Sequence, residues 1–286
     1  MAKNSRIEWT HHTFNPWWGC TKISPACKHC YAEAWAKRVG SKVWGARAAR
    51  RFFGDTHWQQ PLTWNADART QGIRYRVFCA SMADVFEDRS ILDTWRTRLW
   101  DLIIATPSLD WLLLTKRPER IADCVPWKSD WPKNVWLGTT AESQEWAELR
   151  VPHLLKIPAA VRFLSCEPLL GAVDLAHWLR PRGDSSRIDW VIAGGESGGK
   201  ARPTHPGWVR SLRDQCASAG VAFHFKQWGN WFPSESRISR RTSVLLADSR
   251  LGPATLVRMS KGQAGRLLDG RTWDEFPGAG VLAAAE

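Results

Sequence analysis

Short apolar segments alternate with longer amphipathic stretches along this chain, and that alternation limits the folds open to it. Three stretches carry apolar residues at three- and four-residue spacing, which predicts helices at Leu92–Ala105, Ser143–Leu155 and Pro206–Ala219. Seven short segments are predicted to be strands: Thr13–Trp18, Arg76–Ala80, Trp111–Thr115, Val135–Thr139, Val161–Ser165, Trp190–Gly194 and Ala222–Lys226. Strands separated by helices pair in parallel. The sequence therefore predicts an α/β protein, a partial or irregular (β/α) barrel of six to seven parallel strands.

Polar residues or glycines lie at or directly after the ends of these strands. In a β/α barrel the carboxyl ends of the strands meet at one mouth, where catalytic groups collect. The candidate site residues selected on this ground are Ser81, Asp84, Thr115, Lys116, Arg117, Thr139, Glu142, Glu167, Gly194, Gly195, Glu196 and Lys226. The alternative is that such residues only end strands and cap helices.

Three cysteines lie close together near the amino terminus, in the run GCTKISPACKHCYAE. Cys27 and Cys30 form a C-x-x-C pair, and Cys20 precedes them on the same loop. A structural zinc and a fully protein-ligated [4Fe-4S] cluster each need four ligands, so three thiolates leave one coordination position open. An open position can bind and activate a small molecule. The cysteines therefore predict a metal site that performs chemistry.

Two other metal sites are compatible with the residue types. A Cys3His zinc site could take its fourth ligand from His29 or from the pair His11 and His12. A divalent metal could instead be held by carboxylates, with Asp84 and Glu142 joined by Glu167. These alternatives correspond to a zinc-stapled nucleic-acid-binding protein and to a divalent-metal nuclease or hydrolase.

Eight segments, spread over nearly the whole chain, resemble one family. They are FNPWWGCTKISPACKHCYAE, FCASMADVFED, WLLLTKRPER, VWLGTTAES, FLSCEPLLG, WVIAGGESG, FKQWG and LLDGRTWDEFP. They are similar to a family of phage gene products known for a three-Cys motif and related to radical S-adenosylmethionine enzymes. The usual radical-enzyme triplet has three residues between its first two cysteines, whereas this chain has six.

The resemblance implies a barrel of the radical-enzyme type, with Cys20, Cys27 and Cys30 holding a [4Fe-4S] cluster. The open iron would bind S-adenosylmethionine, whose reductive cleavage would start the modification or repair of a substrate. A reductant protein is a possible partner. The GGESGG segment, with Gly194, Gly195 and Glu196, resembles cofactor-contacting segments of such enzymes. A tight turn is the other interpretation of the same glycines.

Other strand-end residues suit binding and proton transfer. Lys116 and Arg117 could hold a carboxylate or phosphate, or they could form a salt bridge to Glu119 or Glu142. Ser81, Asp84, Thr115, Thr139 and Glu142 join the predicted cofactor-binding set. Lys116, Glu167 and Lys226 are the candidate catalytic residues, because a carboxylate and an ammonium group at one mouth can transfer a proton. A purely structural pairing of Glu167 with Lys226 is the alternative.

Charge points to the class of partner. The net charge is +12 and the pI is near 9.7, so the protein attracts polyanions. Seven basic residues and one acid, Glu33, lie between Lys28 and Arg51, with Trp35 and Trp44 among them. That mixture is typical of a base-stacking surface, although a solvated helix face would look the same. We therefore expect a nucleic acid or nucleotide substrate.

The remaining features bound the class of protein. No apolar run reaches the length of a membrane span, and the amino terminus does not have the pattern of a signal peptide, so a cytoplasmic protein without a membrane partner is predicted.

The barrel is expected to cover residues 1–233, with residues 234–286 as a flap and closing segment packed on the same domain. The flap should contain a hairpin near Ser243–Arg258, and the last nine residues should fray. The four scattered cysteines, Cys79, Cys124, Cys166 and Cys216, are expected in the core.

Overall fold

The computed structural model describes residues 3–180, 186–234 and 243–278. The strands within them are β1 His12–Thr13, β2 Trp17–Trp18, β3 Arg51–Phe52, β4 Tyr75–Cys79, β5 Leu109–Thr115, β6 Val135–Thr140, β7 Val161–Cys166, β8 Trp190–Gly194, β9 Ala222–Gln227, β10 Trp231–Pro233, β11 Ser243–Leu246 and β12 Ala254–Arg258. The helices are α1 Tyr31–Arg38, α2 Asp55–Gln71, α3 Asp93–Ala105, α4 Ile121–Cys124, α5 Gln144–Leu155, α6 Ala176–Leu179, α7 Pro206–Ala219 and α8 Lys261–Ala264.

Seven strands form one sheet in the order β1-β4-β5-β6-β7-β8-β9. The pairs β1–β4, β4–β5, β5–β6, β7–β8 and β8–β9 are all parallel. After β1, neighbours in the sheet are also neighbours among the long strands of the chain, as the strands of a (β/α) barrel are. The predicted fold class, a partial (β/α) barrel with six to seven parallel strands, is confirmed.

The first predicted strand is wrong in its extent. Only His12 and Thr13 pair with β4, in register with Val77 and Phe78. The chain then leaves the sheet, because Pro16 has no N–H group to donate to a ladder. Trp17 and Trp18 pair instead with β3 in a separate antiparallel ribbon.

The helix α2 was not predicted. It runs for 17 residues and contains Pro61, a residue that normally ends or kinks a helix. Trp58, Trp64 and Ala68 lie on its buried side. Burial of these side chains stabilises a helix whose sequence alone gives a weak signal.

The chain forms two compact units. The first comprises Met1–Thr139 and Arg150–Arg162, and the second comprises Thr140–Leu149 and Phe163–Glu286. The division proposed at residues 233 and 234 stays a prediction. Cys79, Cys166 and Cys216 are buried as expected, whereas Cys124 is half-buried. No helix among the described residues has the length and apolar content that crossing a bilayer requires.

In the first unit, the sheet and α3 both contribute fully buried side chains to the core. Val77, Trp111 and Leu112 of β4 and β5 are fully buried, as are Leu99 and Ile103 of α3. This packing holds the carboxyl ends of β4 and β5 in fixed positions, and the candidate residues of this unit extend from those ends.

In the second unit, α7 covers the sheet through Trp208, Val209 and Leu212. The strands β10, β12 and β11 form a small antiparallel sheet, and β11 and β12 are the hairpin predicted near Ser243–Arg258. Residues 235–242 of the predicted flap and residues 279–286 of the predicted frayed end lie outside the described residues. The closing segment reaches β9, where Phe225 donates a backbone hydrogen bond to the Trp273 carbonyl.

Candidate functional site

The cysteine loop begins beside the carboxyl end of β4. The Gly19 amide donates to the Met82 carbonyl at 3.0 Å. Gly19 has φ +116°, and a Cβ atom there would stand 2.3 Å from the Val43 carbonyl oxygen. Only glycine fits this position, so the start of the loop is set by a close backbone approach.

The buried side chain of Asn15 connects the segment before the cysteine loop to the carboxyl end of β4. Asn15 is fully buried, accepts a hydrogen bond from the Met82 amide at 2.7 Å and bonds the Ser81 hydroxyl at 3.0 Å. The predicted cofactor-binding residue Ser81 is therefore engaged by Asn15. Sequence reasoning did not single out Asn15, and the NPWWGC run gave no signal for it beyond a polar residue among apolar ones.

The three loop cysteines are free thiols and only partly buried. The Cys20 sulfur lies 4.0 Å from an Nη atom of Arg117, and the Cys27 sulfur lies 3.8 Å from the Ser24 hydroxyl. Cys30 directly precedes α1. All three thiols therefore remain available as ligands on one segment, between the ribbon strand β2 and the first helix.

The surroundings shift the pKa values of the three thiols in different directions. Burial, joined by the charge of Asp84, raises the pKa of Cys20 to about 12, although Arg117 opposes the rise. Burial also raises the pKa of Cys30. At Cys27, burial acts in the same direction, but the charge of Lys116 and hydrogen bonds from Ile23 and Ser24 hold the pKa below its ordinary value. A bound metal cation would replace the protons of Cys20 and Cys30, whose pKa values are raised, as metals do at coordinating thiols.

Asp84 and Arg117 form a buried ion pair beside Cys20. Their closest atoms are 2.8 Å apart, and each side chain is 8% exposed. Asp84 also accepts from the Thr115 hydroxyl at 2.7 Å and from the Lys116 amide at 3.1 Å. Arg117 reaches on to the Thr21 carbonyl at 2.9 Å. The network joins the end of β5 to the cysteine loop.

This network corrects two sequence interpretations. Arg117 pairs with Asp84 rather than with Glu119 or Glu142. The Asp84 carboxylate accepts hydrogen bonds from four donors, the Thr115 hydroxyl, the Lys116 and Phe86 amides and the Arg117 guanidinium, so it would have to release Arg117 before it could serve as the metal ligand of a nuclease.

A second buried ion pair, which the sequence analysis missed, holds the segment that packs on the loop. Arg50 binds Glu87 through two hydrogen bonds and also donates to the Val43, Gly45 and Ala48 carbonyls. It further donates to the Thr21 hydroxyl at 3.1 Å, beside Cys20. The sequence analysis counted Arg50 among the basic residues of a surface, and that interpretation is wrong because Arg50 is 6% exposed.

The loop thiols suit an iron–sulfur cluster in their chemistry. Among the described residues, no three or more His, Cys, Asp or Glu side chains are grouped so that they could hold one metal ion. A tetrahedral zinc site needs four ligands around one ion, and in a [4Fe-4S] cluster each cysteine binds a different iron. The donor set is three free thiols, with Lys116 and Arg117 close enough to act on them electrostatically. Cations so placed suit an anionic cluster.

The histidines near the loop have other partners. The Nδ1 atom of His11 accepts from the Arg76 amide at 2.8 Å, and that of His12 accepts from the Asn4 amide at 3.2 Å. The His12 ring also stacks on Trp64, with 4.5 Å between ring centroids. These contacts place both rings in the packing around β1 and β4.

In the second unit, Glu167 and Lys226 form an ion pair at the ends of β7 and β9. Their charged atoms are 3.4 Å apart, and the side chains are 14% and 17% exposed. A Cβ atom at Gly194 would stand 2.7 Å from Oε1 of Glu167. The absence of a side chain at Gly194 therefore leaves the space that the Glu167 carboxylate fills.

The neighbouring glycine and glutamate are also engaged within this unit. Gly195 donates to the Gln227 carbonyl at 2.9 Å, and a Cβ atom on it would stand 2.0 Å from the Trp228 carbonyl oxygen. Glu196 binds Arg202 through two side-chain hydrogen bonds of 2.6 and 2.8 Å. Close packing of two strand-end loops thus accounts for the Gly194–Gly195 pair, and Arg202 is a partner of Glu196 that the sequence did not reveal.

The last two predicted cofactor-binding residues are deeply buried. Thr139 donates its hydroxyl to the Thr115 carbonyl at 2.9 Å, which links the ends of β5 and β6 in the first unit. Glu142 belongs to the second unit, where its backbone carbonyl accepts from the Leu170 amide at 2.8 Å. Both residues are fully buried.

Comparison with known proteins identifies one family. A family model described as "Protein of unknown function (DUF5131)" matches residues 4–277. No curated protein matches the chain.

Several solved structures are similar to this chain at low identity. A spore photoproduct lyase variant with bound AdoMet and dinucleoside spore photoproduct has 12% identity and a TM-score of 0.45, over 88% of this chain and 70% of that one. A second variant of the lyase has 12% identity and a TM-score of 0.44, over 91% and 71% of the two chains. The lyase complexed with dinucleoside spore photoproduct has 11% identity and a TM-score of 0.42, over 86% and 68%.

Proposed function

The chain belongs to the DUF5131 family, and from that premise we propose that it is a radical S-adenosylmethionine enzyme acting on a nucleic acid or nucleotide. One observation carries the proposal: three free thiols lie on one loop, which Arg50 and Arg117 hold through Thr21, and the charge of Lys116 acts on Cys27. Three thiolates and no fourth are what a cluster needs if one iron is to stay open for a cofactor.

Cys20, Cys27 and Cys30 would hold the [4Fe-4S] cluster. When bound, the cluster and S-adenosylmethionine would supply one-electron cleavage of the sulfonium bond and a radical able to abstract hydrogen from a substrate. A reductant protein would supply the electron.

Residues of the first unit position the cysteine loop and affect the ionisation of its thiols. Arg117 orients the loop through the Thr21 carbonyl, and Asp84 fixes Arg117 in turn. Lys116 favours the thiolate of Cys27. With Ser81, Thr115 and Thr139 at the same strand ends, these groups are our candidates for contact with the cofactor.

Residues of the second unit are candidates for cofactor binding and proton transfer. Glu167 and Lys226 are close enough to share a proton through a small shift of either side chain. Glu196, with Gly194, Gly195 and the buried Glu142, is the proposed cofactor-binding set of this unit. Arg202 orients the Glu196 carboxylate through its backbone amide and its guanidinium.

Charge supports the substrate class. A net charge of +12 raises the local concentration of polyanions and speeds their encounter with the protein.

The test is anaerobic reconstitution of the wild-type protein and of the variants Cys20→Ala, Cys27→Ala and Cys30→Ala. The wild type should hold about four irons per chain, with a broad visible absorption. On addition of S-adenosylmethionine and reductant it should release 5'-deoxyadenosine, detected by mass spectrometry. Each loop variant should lose this product.

Cys124→Ala is the matched control, because Cys124 is a free, half-buried cysteine of the same unit outside the loop. It should load iron and form product like the wild type. One zinc per chain without colour, or cleavage that survives all three loop substitutions, would overturn the proposal.

A further inference from the structure

Helix α1, which follows Cys30 directly, exposes a stripe of large apolar side chains. Tyr31 is 53% exposed, Trp35 is 46% exposed, and Val39, the first residue after the helix, is 46% exposed. Residues four positions apart in a helix are separated by only about 40° around its axis, so the three side chains follow one another along one face. We name these three residues the α1 stripe.

The opposite side of the helix fixes the direction in which the stripe points. Ala32 and Ala36 are buried in a cluster with Val43 and Met82, and Trp18 packs against the same cluster. Because small residues let the helix lie close to the core, rotation that would bury Trp35 would expose this face. The stripe is therefore held at the surface by the packing beneath it.

The stripe is linked to the candidate site at its first residue. Tyr31 is adjacent in sequence to Cys30, and its hydroxyl donates to the Ser81 carbonyl at 2.9 Å. Ser81 lies just beyond the end of β4. A molecule resting on the stripe would therefore lie at the edge of the cysteine loop.

Basic side chains border the stripe. The Arg38 guanidinium carbon lies 5.9 Å from the centroid of the Trp35 ring, and Lys28 and Lys42 are exposed on either side of the helix in sequence. The one acid of the segment, Glu33, is paired with both Lys22 and Lys37 at 2.5 and 2.8 Å. The charge beside the stripe is therefore positive.

This combination selects one kind of occupant. A second copy of the chain would bring like charges together across the stripe, which is costly for an interface. A single-stranded nucleic acid instead offers phosphates to the cations and unpaired bases to the aromatic rings, and every base has a face that can stack. Paired bases of a duplex keep their faces covered, so the stripe discriminates against them.

We propose that the α1 stripe is a stacking platform for unpaired bases of a single-stranded nucleic acid, with Trp35 as its main ring and Arg38 as a phosphate contact. The inference rests on the proposed function, since it names the substrate class of that enzyme. The inference deepens the proposed function by locating the substrate-binding surface next to Cys30.

Fluorescence anisotropy with a labelled oligothymidylate of about twelve nucleotides tests the platform. The protein is the anaerobically prepared wild type, compared with Trp35→Ala, Trp35→Phe and Arg38→Gln. Ile104→Ala is the matched control, because Ile104 is also a large exposed apolar residue and lies on a different helix, α3. A labelled duplex of the same length is measured in parallel.

Trp35→Ala should weaken single-strand binding at least about fivefold, while Trp35→Phe, which retains a ring, should keep most of the affinity. Arg38→Gln should lower the slope of log affinity against log salt by about 0.7, measured between about 50 and 200 mM salt. Ile104→Ala should bind as the wild type does, and the duplex should bind more weakly.

Equal binding by Trp35→Ala and Ile104→Ala would overturn the platform. So would size-exclusion data showing a wild-type dimer that Trp35→Ala converts to a monomer, because the stripe would then be a subunit interface. Loss of 5'-deoxyadenosine formation is a separate readout that tests the enzyme class. Failure of one proposal is therefore distinguishable from failure of the other.

Discussion

Arg50 and Glu87 form a two-point ion pair of 2.6 and 2.9 Å, with side chains that are 0% and 3% exposed. The pair lies beneath the cysteine loop, since Arg50 also donates to the Thr21 hydroxyl. Removing charged groups from water is costly unless each one is paired and its remaining donors are satisfied. The carbonyl oxygens that surround Arg50 meet that condition, so this pair stabilises a single conformation of the segment that supports Cys20.

Substitution of Glu87 tests how far the fold depends on this pair. Glu87→Gln leaves the Arg50 charge buried without a counterion, and the free energy of unfolding should fall by about 3–5 kcal/mol. Urea unfolding followed by circular dichroism measures the change. Glu119→Gln, at an exposed glutamate after β5, should change stability by less than about 0.5 kcal/mol. Equal stability of the two variants would contradict the assigned role of the pair.

Asp84 provides a second test, directed at the cysteine loop itself. Asp84→Asn removes the counterion of Arg117 and weakens the bonds to Thr115 and Lys116, so the loop should lose its attachment to β5. We expect a loss of about 3 kcal/mol in unfolding free energy and a lower iron content after reconstitution.

The matched control is Asp88→Asn, since Asp88 lies four residues after Asp84, its side chain is 75% exposed and it pairs with Arg120. It should load iron as the wild type does. If Asp84→Asn also loads fully and melts at the wild-type temperature, the network does not hold the loop.

The sequence predicted the central part of the sheet because its signal there is local. Apolar segments bounded by polar residues identified β4 to β9, and their alternation with helices predicted parallel pairing. The extent of the first strand was wrong and α2 was missed, for opposite reasons. Pro16 divides the first strand between two sheets, while tertiary burial of Trp58 and Trp64 stabilises α2 despite Pro61.

At the candidate site, residue types could be predicted and partners could not. The cysteine triplet and the strand-end residues are visible in the sequence, but Arg50 meets Glu87 across 37 positions and Glu196 meets Arg202 through a loop. Such pairings depend on the packed structure. The sequence therefore places Arg50 with the surface cations, and it predicts ligand binding at Gly194 and Gly195 without showing how they pack against Glu167 and Trp228.

His12 should make the stability of the protein depend on pH. Burial, together with the charges of His11 and Lys3, lowers the pKa of His12 to about 4. Since the unfolded chain binds a proton near pH 6.5 and the folded protein does not, the stability is fully present above that value and falls as the pH drops toward 4. The decrease attributable to His12 should approach about 3 kcal/mol at the lower end.

The measurement is urea unfolding between pH 7 and pH 4, compared between the wild type and His12→Phe. The variant keeps a ring to stack on Trp64 and should show a shallower pH dependence. His177→Phe, at an exposed histidine in α6, should retain the wild-type slope. Parallel curves for His12→Phe and the wild type would show that another group titrates.

Gly194 tests the packing around the Glu167–Lys226 pair. In Gly194→Ala the new Cβ atom would stand 2.7 Å from Oε1 of Glu167, so the carboxylate must move away from its place beside Lys226. Overpacking of this kind should lower the free energy of unfolding by about 1–3 kcal/mol. If the pair transfers a proton in the reaction, substrate conversion should fall further than 5'-deoxyadenosine formation.

Gly199→Ala is the control, because a Cβ atom at Gly199 meets nothing within 4 Å. A Gly194→Ala protein as stable and as active as Gly199→Ala would show that the carboxylate is free to move and that its position beside Lys226 has no role.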